Sequence, residues 1–198
     1  MTSAAAVRPR QGSFPLPWIS LLLTAIAVAA YLALGPAPEA WIFDREAIVQ
    51  GQWWRLLTGH WVHSDPQHVV WDVTALLLFG SLFEARLGWR LPLALLLATA
   101  GVDAWLWWGL PDLLYYCGLS GILNSLMIYG LLQAWRSQRN PLLLAMVALA
   151  GLKIVLEIEA GQALLTKTAW SSVPTAHAAG FACGLMLASA TLRKWKRG

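Results

Sequence analysis

The sequence predicts an all-α, polytopic membrane protein: a bundle of six transmembrane helices with the N- and C-termini both cytoplasmic. Three observations carry that prediction. Of the 198 residues, 58% are hydrophobic and only 12% charged, whereas a soluble domain carries about 25% charged and about 45–50% apolar residues. Mean hydropathy is correspondingly high, at +0.57. Six apolar segments match or approach the roughly 20 residues a helix needs to cross a bilayer core. The composition excludes a disordered chain, a nucleic-acid-binding domain and an ordinary cytosolic enzyme. The net charge of +4 resides in loops, so no nucleic-acid partner is expected.

The segments follow in order. Trp18–Leu34 comes after Arg8 and Arg10, flanks that would also suit a signal peptide. No clear small-residue cleavage site follows it and five more spans do, so it reads as a retained first helix. The others are His68–Leu87, Leu91–Leu110, Gly118–Trp135, Pro141–Leu156 and Thr175–Leu192. The expected organisation is a cytoplasmic tail over 1–17, one six-helix domain over 18–192, and a basic cytoplasmic tail over 193–198. Cys117 and Cys183 are too few for a disulfide framework, and both are expected inside apolar helices.

Loop charges set the orientation. With six spans and the N-terminus inside, the inner loops hold Arg8, Arg10, Arg86, Arg90, Arg136, Arg139, Arg193, Lys194, Lys196 and Arg197. The outer loops hold only Arg45, Arg55 and Lys167, and are otherwise acidic: Glu39, Asp44, Glu46, Asp65, Asp112, Glu157 and Glu159. This is a strong positive-inside asymmetry. The outer connection 35–67 is long and rich in tryptophan (Trp41, Trp53, Trp54, Trp61), which places it partly in the headgroup region. An aromatic belt alone would account for the same residues.

Polar residues inside apolar spans are costly and therefore informative. His68 and Asp72 open the second span, Ser120 and Asn124 the fourth, and His177 the sixth; Glu84 closes the second, Asp103 lies in the third and Lys153 in the fifth. Spans two, four and six all descend from the outer side. His68, Ser120 and His177 therefore sit at similar depth, in the outer part of the membrane, on three helices able to meet. Gly118-Leu119-Ser120-Gly121 flanks the serine with glycines, and Ala176, Gly180 and Gly184 form a small-residue stripe at spacing four. Such residues let helix backbones approach. Both motifs could instead be packing seams, with the serine bonded to its own helix; the shared depth of His177 favours chemistry.

A serine hydroxyl becomes a nucleophile when a base takes its proton, and a neutral imidazole is such a base. No outer-half carboxylate stands out as an orienter for His177, so a Ser–His dyad is expected. Acyl transfer also needs donors for the oxyanion; His68 and the Ser120 N–H are the candidates. No cofactor and no metal is expected.

These residues resemble the rhomboid intramembrane serine proteases, of the compact six-helix bacterial type. The resemblance covers about Gly51 to Gly184. It rests on Gly51-Gln52-Trp53-Trp54-Arg55-Leu56-Leu57-Thr58, His63 and His68 five apart with Asp72 beyond, Gly80, Glu84 and Gly88, then Gly118-Leu119-Ser120-Gly121, and finally Ala176-His177 with Gly180 and Gly184. It implies a nucleophile at Ser120, a general base at His177, and oxyanion stabilisation by His68, the Ser120 amide and position 72, with Gly118 and Asn124 in support. It also implies a half-embedded first loop and a structural acid at Glu84. The bacterial type implies the cytoplasmic (inner) membrane, with the site opening toward the periplasm. Two positions depart from the family pattern. Position 72 is usually asparagine, a donor, and ionised aspartate is not one. Position 124 often holds a tyrosine stacked on the histidine; Asn124 could instead hydrogen-bond to His177.

The short length and the Leu-Glu-Ile-Glu-Ala-Gly run at 156–161 are most similar to the rhombosortase subgroup. That implies single-pass membrane substrates with a C-terminal Gly-Gly signal, an apolar helix and a basic end. Three rival readings stand beside it. A metal site on His60, His63 and His68 lacks a His-Glu-x-x-His motif. A small transporter using Asp103 and Lys153 lacks repeated halves. A catalytically inactive rhomboid-like binding factor would not need both Ser120 and His177.

Overall fold

The computed structural model describes residues 16–195. Eight α-helices order the described residues: α1 (Trp18–Leu34), α2 (Arg45–Val49), α3 (Arg55–Thr58), α4 (Pro66–Leu87), α5 (Arg90–Ala104), α6 (Ser120–Gln138), α7 (Pro141–Ala160) and α8 (Pro174–Trp195). A π-helical turn, Trp105–Gly109, extends α5. The expected tail 1–17 is described only from residue 16, and the basic side chains at 193–198 lie outside the described residues.

Among the described residues three helices are long and apolar enough to cross a membrane: Pro66–Leu87, Arg90–Gly109 taken through its π turn, and Pro141–Ala160; α1 is a shorter apolar helix. α6 is less apolar because it sits inside the others, packing on α4, α5, α7 and α8. Ile122, Leu126, Ile128 and Tyr129 on it are buried. A helix covered by protein need not match lipid, which is where Asn124, Ser125 and Gln133 find room.

Several boundaries differ from the sequence expectation. α4 starts at Pro66, two residues early, because Asp65 caps it by accepting from the His68 N–H at 3.0 Å and proline suits the first turn. α7 continues to Ala160 instead of stopping at Leu156. Cys117 lies in the connection before α6, not in a helix; Cys183 is helical, and both thiols are free and buried. The 35–67 connection is folded, holding α2, α3 and a strand β1 (Phe43–Asp44) that pairs antiparallel with β2 (Tyr115–Tyr116). That two-stranded ribbon is the one addition to an otherwise helical class among the described residues.

Two arginines build the long connection. Buried Arg55 donates to the Glu39 and Ile42 carbonyls and to Gln52 Oε1. Arg45 donates to the carbonyls of Leu106, Trp107, Leu110 and Leu113. It thereby places a cation at the end of α5, where carbonyls lack helical partners. At the opposite end of the bundle, the Glu84 carboxylate accepts from the Ile19 and Ser20 amides and the Ser20 hydroxyl at 2.6–2.9 Å. It thus caps α1 from α4. Gly80 makes this docking possible, since a side chain there would overlap Ser20.

Candidate active site

Ser120 opens α6, where the first amides of a helix have no intrahelical acceptor. The segment leading into it is held by the long connection: β2 pairs with β1, and the Gly118 N–H donates to the Gly59 carbonyl at 3.0 Å. Gly118 has φ +109°, the left-handed region. Any side chain there would overlap the His68 imidazole and come within 3.2 Å of Asp72 Oδ2. Gly118 therefore lets α4 present His68 directly against the backbone before the serine.

The small-residue stripe acts where α6 and α8 cross. Ala176 is fully buried. Gly180 lies against the Gly121 carbonyl, and Gly184 against the Ser125 carbonyl and Ile128. At that separation His177 Nε2 stands 3.0 Å from Ser120 Oγ. The other ring nitrogen, Nδ1, stands 3.0 Å from Glu157 Oε2. Glu157 is fully buried; its Oε1 accepts from Lys153 Nζ at 2.6 Å and from the Leu164 N–H at 3.0 Å.

The chain of contacts thus runs Ser120, His177, Glu157, Lys153. The sequence expected Glu157 in an outer loop and no orienter on His177, and the structure differs on both. The available signal was the four-residue spacing from Lys153, which puts both side chains on one face of α7.

On the other side of the serine, Asp72 Oδ2 accepts from the Leu119 N–H at 2.7 Å. It lies 3.2 Å from His63 Nε2 and 3.5 Å from His68 Nε2. Asp72 therefore anchors the backbone next to Ser120 as an acceptor. His68 Nδ1 is 3.0 Å from Ser64 Oγ, which turns Nε2 toward Gly118. Asn124 donates to the Ser120 carbonyl at 2.9 Å, one turn back, and not to His177. His60 pairs with Asp103 at 3.0 Å, so the three loop histidines do not converge. Among the described residues no group of three His, Cys, Asp or Glu side chains is placed to hold a metal.

Outside the helices the electrostatics are simple. Burial would raise the Asp65 carboxyl, but bonds from the Ala169 N–H, the Ser64 hydroxyl and the His68 N–H outweigh it and hold it below the usual carboxylate range. Burial, helped by the Asp72 charge, pushes the Cys117 thiol up to about 12 and raises the Tyr116 hydroxyl well above its usual value. Cys117 therefore stays a thiol.

A cavity of about 480 Å³ opens over these groups, lined by His68, Trp71, Ser120, Met127, Lys153 and His177 among others. The connection between α7 and α8 closes one side through Leu165, Trp170 and Val173. The Ser120 hydroxyl and the His177 imidazole face an otherwise mainly apolar chamber. A family model described as the Rhomboid domain matches residues 50–194. No curated protein matches the chain.

Proposed function

The chain belongs to the rhomboid family, whose members are usually intramembrane serine proteases, and from that premise we propose that it is a serine endopeptidase cutting single-pass membrane proteins near the outer membrane face. The observation that carries the reading is the 3.0 Å approach of His177 Nε2 to Ser120 Oγ within one cavity. Ser120 is the nucleophile and His177 the general base. Six spans with cytoplasmic termini put this pair in the outer leaflet of a bacterial inner membrane, opening toward the periplasm. The domain runs from 18 to 192 between short cytoplasmic tails.

The chemistry follows from the geometry. His177 Nε2 takes the Ser120 proton as Oγ bonds to the substrate carbonyl carbon, whose π pair moves onto oxygen. The amides at the start of α6 lack intrahelical acceptors and lie at the positive end of the helix dipole, which favours that oxyanion; His68 Nε2 lines the same cavity. His177 then gives its proton to the leaving amine as the C–N bond breaks. Water entering from the outer side repeats the sequence and frees the serine; an amine in its place gives transpeptidation. A substrate helix must unwind before attack, because its carbonyls are bonded within it, and glycine eases that step.

The rhombosortase-like features favour substrates with a C-terminal Gly-Gly signal, an apolar helix and a basic end. The test is co-expression of such a reporter with wild type, Ser120→Ala and His177→Ala. Cleavage by wild type, lost in both variants, is the expected result. Cleavage that persists in Ser120→Ala overturns the serine mechanism, and a reporter cut only when its Gly-Gly is replaced overturns the substrate class.

A further inference from the structure

Glu157 carries an inference that goes beyond a serine–histidine pair. It sits near the outer end of α7, with no solvent exposure. Burying an unpaired carboxylate is expensive, so its partners are informative. It has three, and they divide its oxygens. Oε1 is occupied by Lys153 Nζ at 2.6 Å and the Leu164 N–H at 3.0 Å. Oε2 is left for His177 Nδ1 at 3.0 Å. The lysine and the amide fix the carboxylate's position and neutralise it, while its free oxygen points at the ring.

That arrangement decides which nitrogen of His177 carries the proton. A carboxylate only accepts, so Nδ1 must be the N–H and Nε2 the lone pair. Nε2 is the nitrogen that faces Ser120. When the serine proton moves to Nε2, the imidazolium forms 3.0 Å from a carboxylate already held in place. The Nδ1 proton stays where it is.

Resting on the proposed serine-protease reading, we infer that Glu157 is a positioning residue that completes a Ser120–His177–Glu157 triad, with Lys153 as its tether. The lysine side chain, one-third exposed and lining the cavity, holds the carboxylate without touching the histidine. Glu157 also bonds Leu164 in the connection that closes the cavity, so the triad and that wall share one anchor.

The test uses the purified full chain, with fluorophosphonate labelling of Ser120 and cleavage of the Gly-Gly reporter as parallel readouts. Glu157→Gln is expected to lower labelling rate and kcat by roughly 10²- to 10⁴-fold, with KM unchanged. Glu157→Asp should recover part of the loss. Because Glu157→Gln leaves Lys153 unpaired, Glu157→Gln/Lys153→Met is measured beside it, with protection of Cys117 and Cys183 from a thiol reagent as the check on folding. A folded double variant that labels at the wild-type rate overturns the inference. In the wild-type chain with ¹⁵N-labelled histidine, the His177 resonances (identified by their loss in His177→Gln) should report the Nδ1–H tautomer. The Nε2–H tautomer overturns the inference whether or not any Glu157 variant folds. Labelling that survives Ser120→Ala refutes the underlying serine mechanism. Labelling lost in Ser120→Ala but intact in Glu157→Gln refutes only the role of the carboxylate.

Discussion

Replacing Gly180 by alanine should separate Ser120 from His177 without altering either side chain. The added methyl would overlap the Gly121 carbonyl oxygen and sit 2.8 Å from its carbon. Ordinary carbon contacts lie at about 3.5–4.0 Å, so α8 must withdraw from α6 by roughly 1 Å. His177 is three residues away on the same helix and moves with it. Its 3.0 Å contact with Ser120 would lengthen beyond the roughly 3.2 Å upper limit of an ordinary hydrogen bond. A misplacement of about 1 Å can cost about 10²-fold in rate, and overpacking of this kind typically costs about 1–3 kcal/mol of stability. Fluorophosphonate labelling measures the first effect, and thermal exposure of Cys117 and Cys183 the second. Gly151→Ala on α7 is the control, because a methyl there would meet only the Phe181 ring at 3.4 Å, ordinary contact. A Gly180→Ala chain that labels as fast as Gly151→Ala would refute the claim that this seam sets the Ser120–His177 distance.

Other outcomes follow from the same geometry. Asp72→Ala should leave the Leu119 N–H buried and unsatisfied at a cost of about 1–3 kcal/mol and slow Ser120 labelling; Asp72→Asn, which keeps an accepting oxygen, should retain most of both. Glu84→Ala leaves three donors at the start of α1 without their acceptor and should lower stability by about 3 kcal/mol, read as earlier thermal exposure of the cysteines, while labelling per folded molecule stays near wild type. Asp65 gives an acid dependence. Its folded pKa is depressed, so its contribution is present above the unfolded value of about 3.9 and is lost as pH falls through the lower folded value. Asp65→Asn should flatten the stability–pH curve in that window, as acid unfolding in detergent will show.

How far the sequence reveals this molecule depends on what each residue answers to. Ser120, His177 and the stripe at Ala176, Gly180 and Gly184 stand out because polar and small residues are conspicuous in apolar helices, and spacing alone puts the stripe on one face. Glu157 is hidden for the opposite reason. A charged residue just beyond an apolar run reads as the edge of the membrane, and its burial becomes tolerable only once the local pairing with Lys153 is joined by the contacts with Leu164 in the next connection and His177 on α8. The direction of Asn124 toward its own helix, the anchoring of Leu119 by Asp72, and the end of α5 at a π turn held by Arg45 are likewise set by partners more than forty positions away or by a choice between equivalent hydrogen bonds. Local pattern does not encode such choices. The start of α4 was legible in principle, since Asp65-Pro66 is an N-cap followed by a first-turn proline.

The most direct test of the central claim is to treat membranes containing the chain with a fluorophosphonate and locate the adduct by mass spectrometry. The account predicts a single covalent adduct on Ser120, absent from Ser120→Ala and strongly reduced in His177→Ala. Reporter cleavage that continues undiminished in a chain whose Ser120 is replaced by alanine would contradict it.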